Sequence, residues 1–492
     1  MKTKIVSAVS YFIPRFRDAL FILLFFSVLA GGSVLLNTDG DLPRHLLMGR
    51  NILETGKPPT TEIFSYPYAG REYVPHEWLA GVIFYLSWLV FDLNGVVVLA
   101  GTLIGAAFLL IFIQSYLNSR ELLLSFLLVL LGAVVTSIHW LARPHLFTMV
   151  FLAIWLILID RLARGKQNRI GIFPLVMLFW ANIHAEYIVG FLVLLAYLAG
   201  CGWSYLIERN TGALATLRSL LVIFLLSFIV SLVNPAGLKA WTTVAGYINN
   251  EYLMSRITET QQPDFLDTDS LPLLGLLVIS GIVIAGNRTR FTPVDIFLIT
   301  GFGLMCVISA RNAHLFGVTA PLVLSRGLNG IRVPKSIKNV EAMIARLEAH
   351  ARGGPIPVII SLLAGLFFLA HPQIGSHNRF DPAVFPVDAV QWLGENPQTG
   401  QMFNAFDWGG YILFHLWPSQ QVFIESQTDT TGDLTRMYET VVTLDEGWGK
   451  IFDQYDIRLV LIPPDWTLAS ELKNQGWVVT YKDATAVILV EK

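Results

Sequence analysis

The sequence is poor in charge and in cysteine. Only 14% of its 492 residues are Asp, Glu, Lys or Arg, whereas soluble domains carry about 25%. The net charge of −2 provides no overall basic field that would attract nucleic acid. The two cysteines, Cys201 and Cys306, lie within apolar runs, so a disulfide framework is excluded. These shortages together exclude a soluble enzyme, a secreted scaffold and a disordered chain.

Long apolar runs fill the first three quarters of the chain, and 54% of all residues are hydrophobic. The first run follows a basic N-terminus, and no cleavage site of the A-x-A kind follows it, so it predicts an uncleaved first crossing. The fold class predicted is an α-helical polytopic membrane protein with about eleven transmembrane helices. The runs centre on residues 19–36, 94–117, 121–138, 144–160, 170–184, 187–207, 216–233, 271–286, 293–309, 313–327 and 355–371.

Loop charges predict how the chain is oriented. The segment 76–92 has mixed polarity, and we expect it to lie at the outer interface without crossing. With that assignment most basic loop residues, including the cluster at 161–169, face the cytoplasm, as the positive-inside rule requires. We therefore expect a multi-pass protein of the cytoplasmic membrane, with its N-terminus inside and its C-terminal part outside.

The sequence predicts two domains. Residues 1–371 form the transmembrane domain, with a first outer loop at 37–93. Residues 372–492 alternate short apolar segments (MFNAF, QVFIE, IRLVLI, WVVTY and AVILV) with amphipathic stretches such as VDAVQWLGE and TRMYETVVTL, which indicates a small α/β domain outside the membrane. The stretch 328–354 predicts an amphipathic helix that rests on lipid headgroups at the inner face.

Polar residues gather at the predicted outer helix ends. Ionisable groups at membrane depth are costly and mark functional cavities, so these residues predict a polar cup that opens to the outside. Asn234, Arg256 and His139 are more typical of helix caps and interfacial anchors. The candidates for the cup are Asp39, Asp41, Arg44, His45, His76, Glu77, Arg143, His145, Asn182, His184, Glu186, Arg311, Asn312 and His314.

Asp39 and Asp41 stand out among these residues. Two carboxylates flanking one glycine, with Arg44 and His45 beside them, exceed what the end of a helix needs. Their mutual repulsion is expected to raise one pKa, and Arg44 is expected to lower the other. Such a separation suits general acid–base catalysis. Aspartates and histidines can also bind Zn²⁺ or Mn²⁺, but no HExxH or similar spacing occurs, so a divalent metal is left open and no other cofactor is expected.

The ordered motifs resemble the C-type (GT-C) membrane glycosyltransferases, which use polyprenyl-phosphate-linked sugars and include protein mannosyltransferases and the aminoarabinose transferases of lipid A. The resemblance extends to a group of bacterial membrane proteins of that build and covers most of the chain. The motifs are GDLPRHLLMGR at 40–50, VPHEW at 74–78, ARPHLFT at 142–148, WANIHAEYIVG at 180–190, VNPAG at 233–237, SARNAHLF at 309–316, DWGGYILFHL at 407–416 and QVFIESQTD at 421–429.

The resemblance implies that an acidic residue of the first outer loop, Asp39 or Asp41, is the catalytic base. The second acidic motif of some relatives has no clear counterpart, and Arg143 and His145 stand where it would be sought, so metal dependence does not carry over. The donor's phosphate would be neutralised by Arg143, Arg311 and Arg44, because guanidinium groups suit phosphate. The remaining candidates, His45, His76, Glu77, His145, Asn182, His184, Glu186, Asn312 and His314, would bind the sugar or the acceptor.

The reaction expected is transfer of a hexosyl or pentosyl group to a hydroxyl of a lipid, glycan or protein acceptor, with inversion at the anomeric carbon. The partners expected are this donor, the acceptor and membrane lipids, and no nucleic acid. Two alternatives stay open: a transporter or flippase of lipid-linked sugars, since charges also line transport routes, and a non-catalytic protein of envelope assembly. A one-sided polar set with nearly clean midplane runs favours transfer over transport.

Overall fold

The computed structural model describes residues 10–166, 169–349, 351–427 and 431–492. Within this part of the chain, six helices are long and apolar enough to cross a membrane, and three shorter apolar helices accompany them. The first predicted crossing is built from two successive helices, α1 (Phe16–Ala30) and α2 (Gly32–Asn37). Because α3 (Asp41–Thr55) follows almost at once, the acidic pair lies in the turn between a crossing and an outer helix.

The helix α4 (Trp78–Ser119) is 42 residues long, which corresponds to about 63 Å and is twice the thickness of a bilayer core. Phe91 and Asp92 interrupt it with non-helical backbone angles, and the φ of Asp92 is 47°. Residues 78–90 pack on α3, where a Cβ on Gly49 would lie 2.2 Å from the Gly81 carbonyl oxygen. The break separates residues 78–90 from the crossing at 93–119, and the position of 78–90 at the membrane interface stays a prediction.

Each of the eleven apolar runs in the sequence coincides with helix in the structure, so the prediction of a polytopic helical membrane protein is confirmed. Four further helices, α10, α11, α15 and α17, lie outside the predicted runs. In chain order, the helices after α4 are α5 (Leu122–Thr136), α6 (His145–Ala163), α7 (Ile172–Ile183), α8 (Ile188–Leu206), α9 (Ala213–Ser231), α10 (Lys239–Ile248), α11 (Glu251–Arg256), α12 (Leu271–Gly286), α13 (Pro293–Ile308), α14 (Ala313–Leu328), α15 (Lys335–Glu348), α16 (Pro355–Leu369) and α17 (Pro372–Gly375).

The helix α14 is the centre of the bundle, because every one of its residues is buried. It packs against α5 through facing glycines: a Cβ on Gly132 would lie 2.4 Å from the Gly317 carbonyl oxygen. Such small residues let membrane helices approach closely where lipid offers no hydrophobic driving force. The close packing fixes the N-terminal end of α14, which carries His314.

The predicted amphipathic helix at 328–354 is present as α15, which has no buried residue; His350 lies outside the described residues. Its apolar side chains Val340, Met343 and Leu347 are exposed, while Lys338 forms ion pairs with Glu121 and Glu341. The contact of this apolar face with headgroups stays a prediction.

The C-terminal part carries a four-stranded sheet in the order β1-β2-β4-β3, in which only the β1–β2 pair is parallel. The interior of the sheet is apolar and includes Phe403, Val460 and Leu489. Its elements are α18 (Val387–Glu395), β1 (Gln401–Asn404), α19 (Gly409–Leu416), α20 (Asp433–Thr443), α21 (Trp448–Tyr455), β2 (Ile457–Ile462), α22 (Thr467–Asn474), β3 (Val478–Lys482) and β4 (Val487–Val490).

One of the five strands expected here is not formed. The segment QVFIE at 421–425 makes only an isolated bridge, between Val422 and Ser65 of the first outer loop. The Ser65 hydroxyl also donates to the Phe423 carbonyl oxygen at 2.7 Å. This segment therefore joins the C-terminal part to the outer loop instead of extending the sheet, and the predicted domain boundary at 371/372 stays a prediction.

Candidate active site

The acidic pair is held in a turn that has no room for a side chain between its two aspartates. The Asp39 carboxylate accepts a hydrogen bond from the Asp41 backbone N–H at 2.8 Å. A Cβ on Gly40 would lie 2.2 Å from the Asp407 carbonyl oxygen, and one on Gly410 would lie 2.9 Å from the Gly40 carbonyl oxygen. The glycines of GDLPRHLL and DWGG thus allow the C-terminal part to clamp this turn.

Arg143, from the loop before α6, binds three carboxylates. Its Nε lies 2.8 Å from Asp39 Oδ2 and 2.9 Å from Asp41 Oδ2, and its Nη1 lies 2.9 Å from Glu259 Oε1. Burial alone would lower the pKa of Arg143, but Asp41, Asp39 and Glu259 raise it above its usual value. Arg143 is therefore the group that brings the acidic pair together.

The two aspartates differ in pKa, as the sequence predicted for such a pair. Burial raises the pKa of Asp39 to about 6, against an opposing effect of Arg143. Burial also acts to raise the pKa of Asp41, but Arg143 and His45 outweigh it and hold that pKa below its usual value. The sequence assigned the cationic partner to Arg44, whereas the structure has Arg143 in that position.

Close to the acidic pair, two glutamates alternate with histidines in a series of ionic contacts. Glu77, just before α4, faces His184 Nε2 at 3.4 Å and the Nε2 atoms of His45 and His76 at 3.8 Å each. Burial would raise the pKa of Glu77, but these three imidazoles lower it below its usual value. On the other side of His184, Glu186 lies 3.3 Å from its Nδ1 and 3.0 Å from His314 Nε2.

Three histidines form a second group beside Glu186. The ring centroids of His139, His145 and His314 lie 5.6 to 6.4 Å apart. His145 contacts the His139 carbonyl oxygen, and His139 Nε2 lies 2.9 Å from the Ala310 carbonyl oxygen. Within residues 10–166, 169–349, 351–427 and 431–492, no group of three histidine, cysteine or acidic side chains is arranged to hold a metal ion.

These groups enclose a cavity of about 50 Å³. It lies between the first turn of α3, the loop before α6, the ends of α7 and α14, and the loop 232–270, which supplies Glu259. The cavity therefore collects side chains from helices that are far apart in sequence. Its lining is Asp41, His45, Glu77, His139, Leu141, Arg143, Pro144, His145, His184, Glu186, Glu259, Arg311 and His314.

Ten of the fourteen candidate residues are brought together here: nine line the cavity, and Asp39 joins them through Arg143. His76 reaches only Glu77, and its Nδ1 faces the Val74 carbonyl oxygen at 3.1 Å. Asn312 binds the Met305 carbonyl oxygen, and Asn182 joins Trp78 to the Leu178 and Val233 carbonyl oxygens.

Arg44 is the fourth candidate outside the cavity. It is fully buried, its Nε lies 3.0 Å from Glu425 Oε2, and its guanidinium covers the Phe64 ring at 4.2 Å. Arg44 thus ties α3 to the C-terminal part and has no access to a donor phosphate in this arrangement. The roles assigned to the other candidates stay predictions.

The sequence missed several residues at the site. Glu259 is one of the polar residues on the predicted outer side but was not chosen as a candidate for the site, and His139 was assigned to the interface. Gln427 lies 3.3 Å from His45, 3.4 Å from Glu77 and 3.3 Å from Tyr73. The signal for Gln427 was the QVFIESQTD motif, whose Thr428 and Asp429 lie outside the described residues.

A multi-pass helical bundle, an outer helix that begins at an acidic pair and an α/β unit clamped on that pair together define a class of membrane protein. Comparison with solved structures identifies the fold. The apo oligosaccharyltransferase of Archaeoglobus fulgidus superposes with a TM-score of 0.59 at 10% identity, over 92% of this chain and 70% of that one. The same organism's AglB in complex with an inhibitory peptide and a dolichol-phosphate superposes with a TM-score of 0.55 at 10% identity, over 89% and 69% of the two chains.

The chain therefore shares its fold with the archaeal oligosaccharyltransferase. The apo form of ArnT from Cupriavidus metallidurans also matches, over 96% of this chain and 97% of that one, with a TM-score of 0.49 and 14% identity. Comparisons with protein-family models and with curated proteins find no match.

Proposed function

We propose that this protein is a glycosyltransferase of the cytoplasmic membrane that moves a sugar from a polyprenyl-phosphate-linked donor to an acceptor hydroxyl on the outer side. The observation that carries the proposal is the binding of Asp39 and Asp41 by one arginine, Arg143, beside a cavity in a GT-C fold. The complex of the similarly folded AglB with a dolichol-phosphate supports a lipid-linked donor. The acceptor in this proposal is a lipid, a glycan or a protein.

Asp41 is the general base in this proposal. It lines the cavity, and its lowered pKa keeps the carboxylate ionised at neutral pH. The acceptor O–H loses its proton to Asp41 as the oxygen attacks the anomeric carbon, and the bond from that carbon to the phosphate oxygen breaks. Attack from the side opposite the phosphate inverts the configuration. Asp39 and Arg143 hold the base in position.

Arg311 is the cation proposed for the leaving phosphate. It lines the cavity, and among the described residues no carboxylate lies within ion-pair distance of it, whereas Arg143 already has three. A guanidinium that has no carboxylate at ion-pair distance can bind two phosphate oxygens and stabilise the charge that develops as the bond breaks. The Glu77–His184–Glu186–His314 series offers acceptors and donors for the sugar hydroxyls.

The test is transfer in proteoliposomes with a radiolabelled polyprenyl-phosphate sugar and a membrane extract as the acceptor source. Asp41→Asn should lower the transfer rate by at least a hundredfold, because a general base typically contributes 10²–10⁴-fold. The matched control is Asp269→Asn, which removes an exposed carboxylate from the loop that carries Glu259. Unchanged transfer by Asp41→Asn and by Asp39→Asn would refute the base, and labelled donor that crosses the bilayer without transfer would support a flippase.

A further inference from the structure

A second and larger cavity, of about 610 Å³, lies at the opposite end of the helix bundle. The helix α6 begins at the active-site residue His145 and reaches this cavity at Asp160, about 22 Å further along its axis. The helix α14 likewise runs from His314 to Arg326. The expectation that polar residues gather at one end only is therefore wrong, since a polar chamber exists at each end.

A chain of buried charges forms the floor of this second cavity. Arg326 binds Asp160 through Nη2 and Asp295 through Nη1, and Asp160 also lies 3.0 Å from Arg164 Nε. Asp160, Asp295 and Arg326 are each at least nine-tenths buried, and the Nε of Arg326 is buried without a hydrogen-bond partner. A buried donor without a partner is costly, which points to a group that the protein alone does not supply.

Two arginines at the rim of the cavity have guanidinium N–H groups that are not used in ion pairs. Arg164 uses only its Nε, and the exposed Arg290 forms no ion pair in the described part of the chain. With Arg326, three guanidinium groups face two carboxylates, so the lining is net positive. Amide and hydroxyl side chains complete it, among them Asn210, Ser204 and Thr216. Guanidinium, amide and hydroxyl donors together are a typical set for a phosphate group.

The surroundings of the cavity indicate how its ligand is anchored. The small residues Gly200 and Cys201, from the last two turns of α8, and Gly212, just before α9, line the cavity. Just beyond them, Trp203, Leu206 and Ile207 are 50 to 64% exposed, as is typical of side chains that face lipid near a membrane interface. A ligand bound here has an apolar surface for its tail beside a cationic pocket for its head.

We propose that this second cavity binds the phosphate headgroup of an anionic membrane lipid, with Arg164 and Arg290 contacting the phosphate and the acyl chains lying along α8 and α9. The site lies away from the cavity that carries the proposed transfer, so it is a separate lipid site. Its occupant would bring an acceptor close to the buried Nε of Arg326, which has no hydrogen-bond partner.

The test is native mass spectrometry of the full-length protein released from nanodiscs of dioleoylphosphatidylglycerol or of dioleoylphosphatidylcholine. The wild type should retain one phosphatidylglycerol and no phosphatidylcholine. The double variant Arg164→Gln/Arg290→Gln should lose at least five-sixths of that retention. The matched control Arg161→Gln/Arg288→Gln removes two exposed arginines that lie within three residues of the test pair in sequence but outside the cavity, and should retain the lipid as the wild type does.

Two results would overturn the proposal. Equal retention by the test and control variants would mean that lipid is held by the general charge of this face. The second measurement adds inorganic phosphate or short-chain phosphatidylglycerol to the detergent-solubilised protein and follows its unfolding temperature. An equal rise with both additives would assign the cavity to a soluble phosphate, whereas a rise with the lipid alone supports the lipid site.

Discussion

Gly40 and Asp407 are in backbone contact: a Cβ on Gly40 would lie 2.2 Å from the Asp407 carbonyl oxygen. The contact joins the turn between the two aspartates to the C-terminal part of the chain, more than 360 residues later in the sequence. The position of the proposed base therefore depends on a part of the protein that lies outside the transmembrane helix bundle.

The first prediction concerns Gly40→Ala. The φ of Gly40 is −88°, which alanine adopts freely, so the whole effect comes from the clash with Asp407. Overpacking of this kind costs about 1–3 kcal/mol, and the shift of the acidic pair should lower transfer at least tenfold. The measurements are thermal unfolding in detergent and the transfer assay. Gly31→Ala is the control, because its Cβ would meet only an ordinary contact at 3.5 Å; equal effects of both substitutions would contradict the role given to the close approach.

The second prediction concerns pH. With its pKa raised from 3.8 to about 6, folded Asp39 holds its proton more tightly than the unfolded chain does. Protonation of Asp39 therefore stabilises the fold, and this contribution is lost as the pH rises through about 6. Relative to Asp39→Asn, the wild type should lose stability between pH 5 and pH 7, as unfolding temperatures measured side by side will reveal.

Transfer should change in the opposite direction over the same pH range. Protonated Asp39 no longer forms a full ion pair with Arg143, so the rate should fall about tenfold per pH unit below about 6. Asp41 stays ionised there because its pKa lies below the usual value. A rate that is flat between pH 5 and pH 7 in the wild type would contradict the need for an ionised Asp39.

The third prediction concerns the buried pair Arg44–Glu425, in which both side chains are fully buried. Removing one partner leaves a buried charge unpaired and should cost about 3–5 kcal/mol, so Arg44→Met should lower the unfolding temperature strongly. Arg44→Met/Glu425→Leu should recover part of that loss, since it removes the carboxylate that binds Arg44 and leaves only the buried Glu62 nearby. The exposed pair Arg458–Glu491 is the control, and its loss should change the unfolding temperature little, because solvent screens an exposed ion pair.

The fourth prediction separates Arg311 from Arg143. Loss of a charged hydrogen bond of about 1.5–3 kcal/mol should raise the KM for the donor roughly 10- to 100-fold in Arg311→Gln. The KM for the acceptor should change little. Arg143→Gln should instead lower kcat, because it releases the carboxylates that position the base. Arg256→Gln, which breaks an exposed pair with Glu439, is the control; a donor KM equal in Arg311→Gln and the control would remove Arg311 from the phosphate site.

Helix positions were predictable from the sequence because membrane crossings need long apolar runs, and each run became helix. Ion pairs between side chains of different helices and loops were harder to predict. Arg44 is beside the acidic pair in sequence, yet the helical direction of α3 carries it to Glu425, while Arg143 arrives from a distant loop. Local spacing reports neighbours within one element, but a partner from another element depends on how the elements pack.

The second cavity was missed for a related reason. Asp160 and Asp295 each stand alone within an apolar run, so neither forms a motif. Their meaning appears only when Arg326 brings them together between three helices. The segment 421–425 was wrongly predicted as a strand for a similar reason. It has the apolar pattern of a strand, but the backbone of Val422 accepts a hydrogen bond from Tyr66 and donates one to Phe64 of the outer loop instead of pairing with the sheet.

The contacts between the outer loop and the C-terminal part can form only late in synthesis of the chain. The ribosome makes Asp41 early and Glu425 only after nearly all of the bundle, which takes roughly 20 to 80 s at common rates of synthesis. Throughout that interval the acidic turn lacks the backbone that shapes it and Arg44 lacks its counter-charge. A nascent chain therefore lacks the arrangement on which the proposed transfer depends until its C-terminal part has been made.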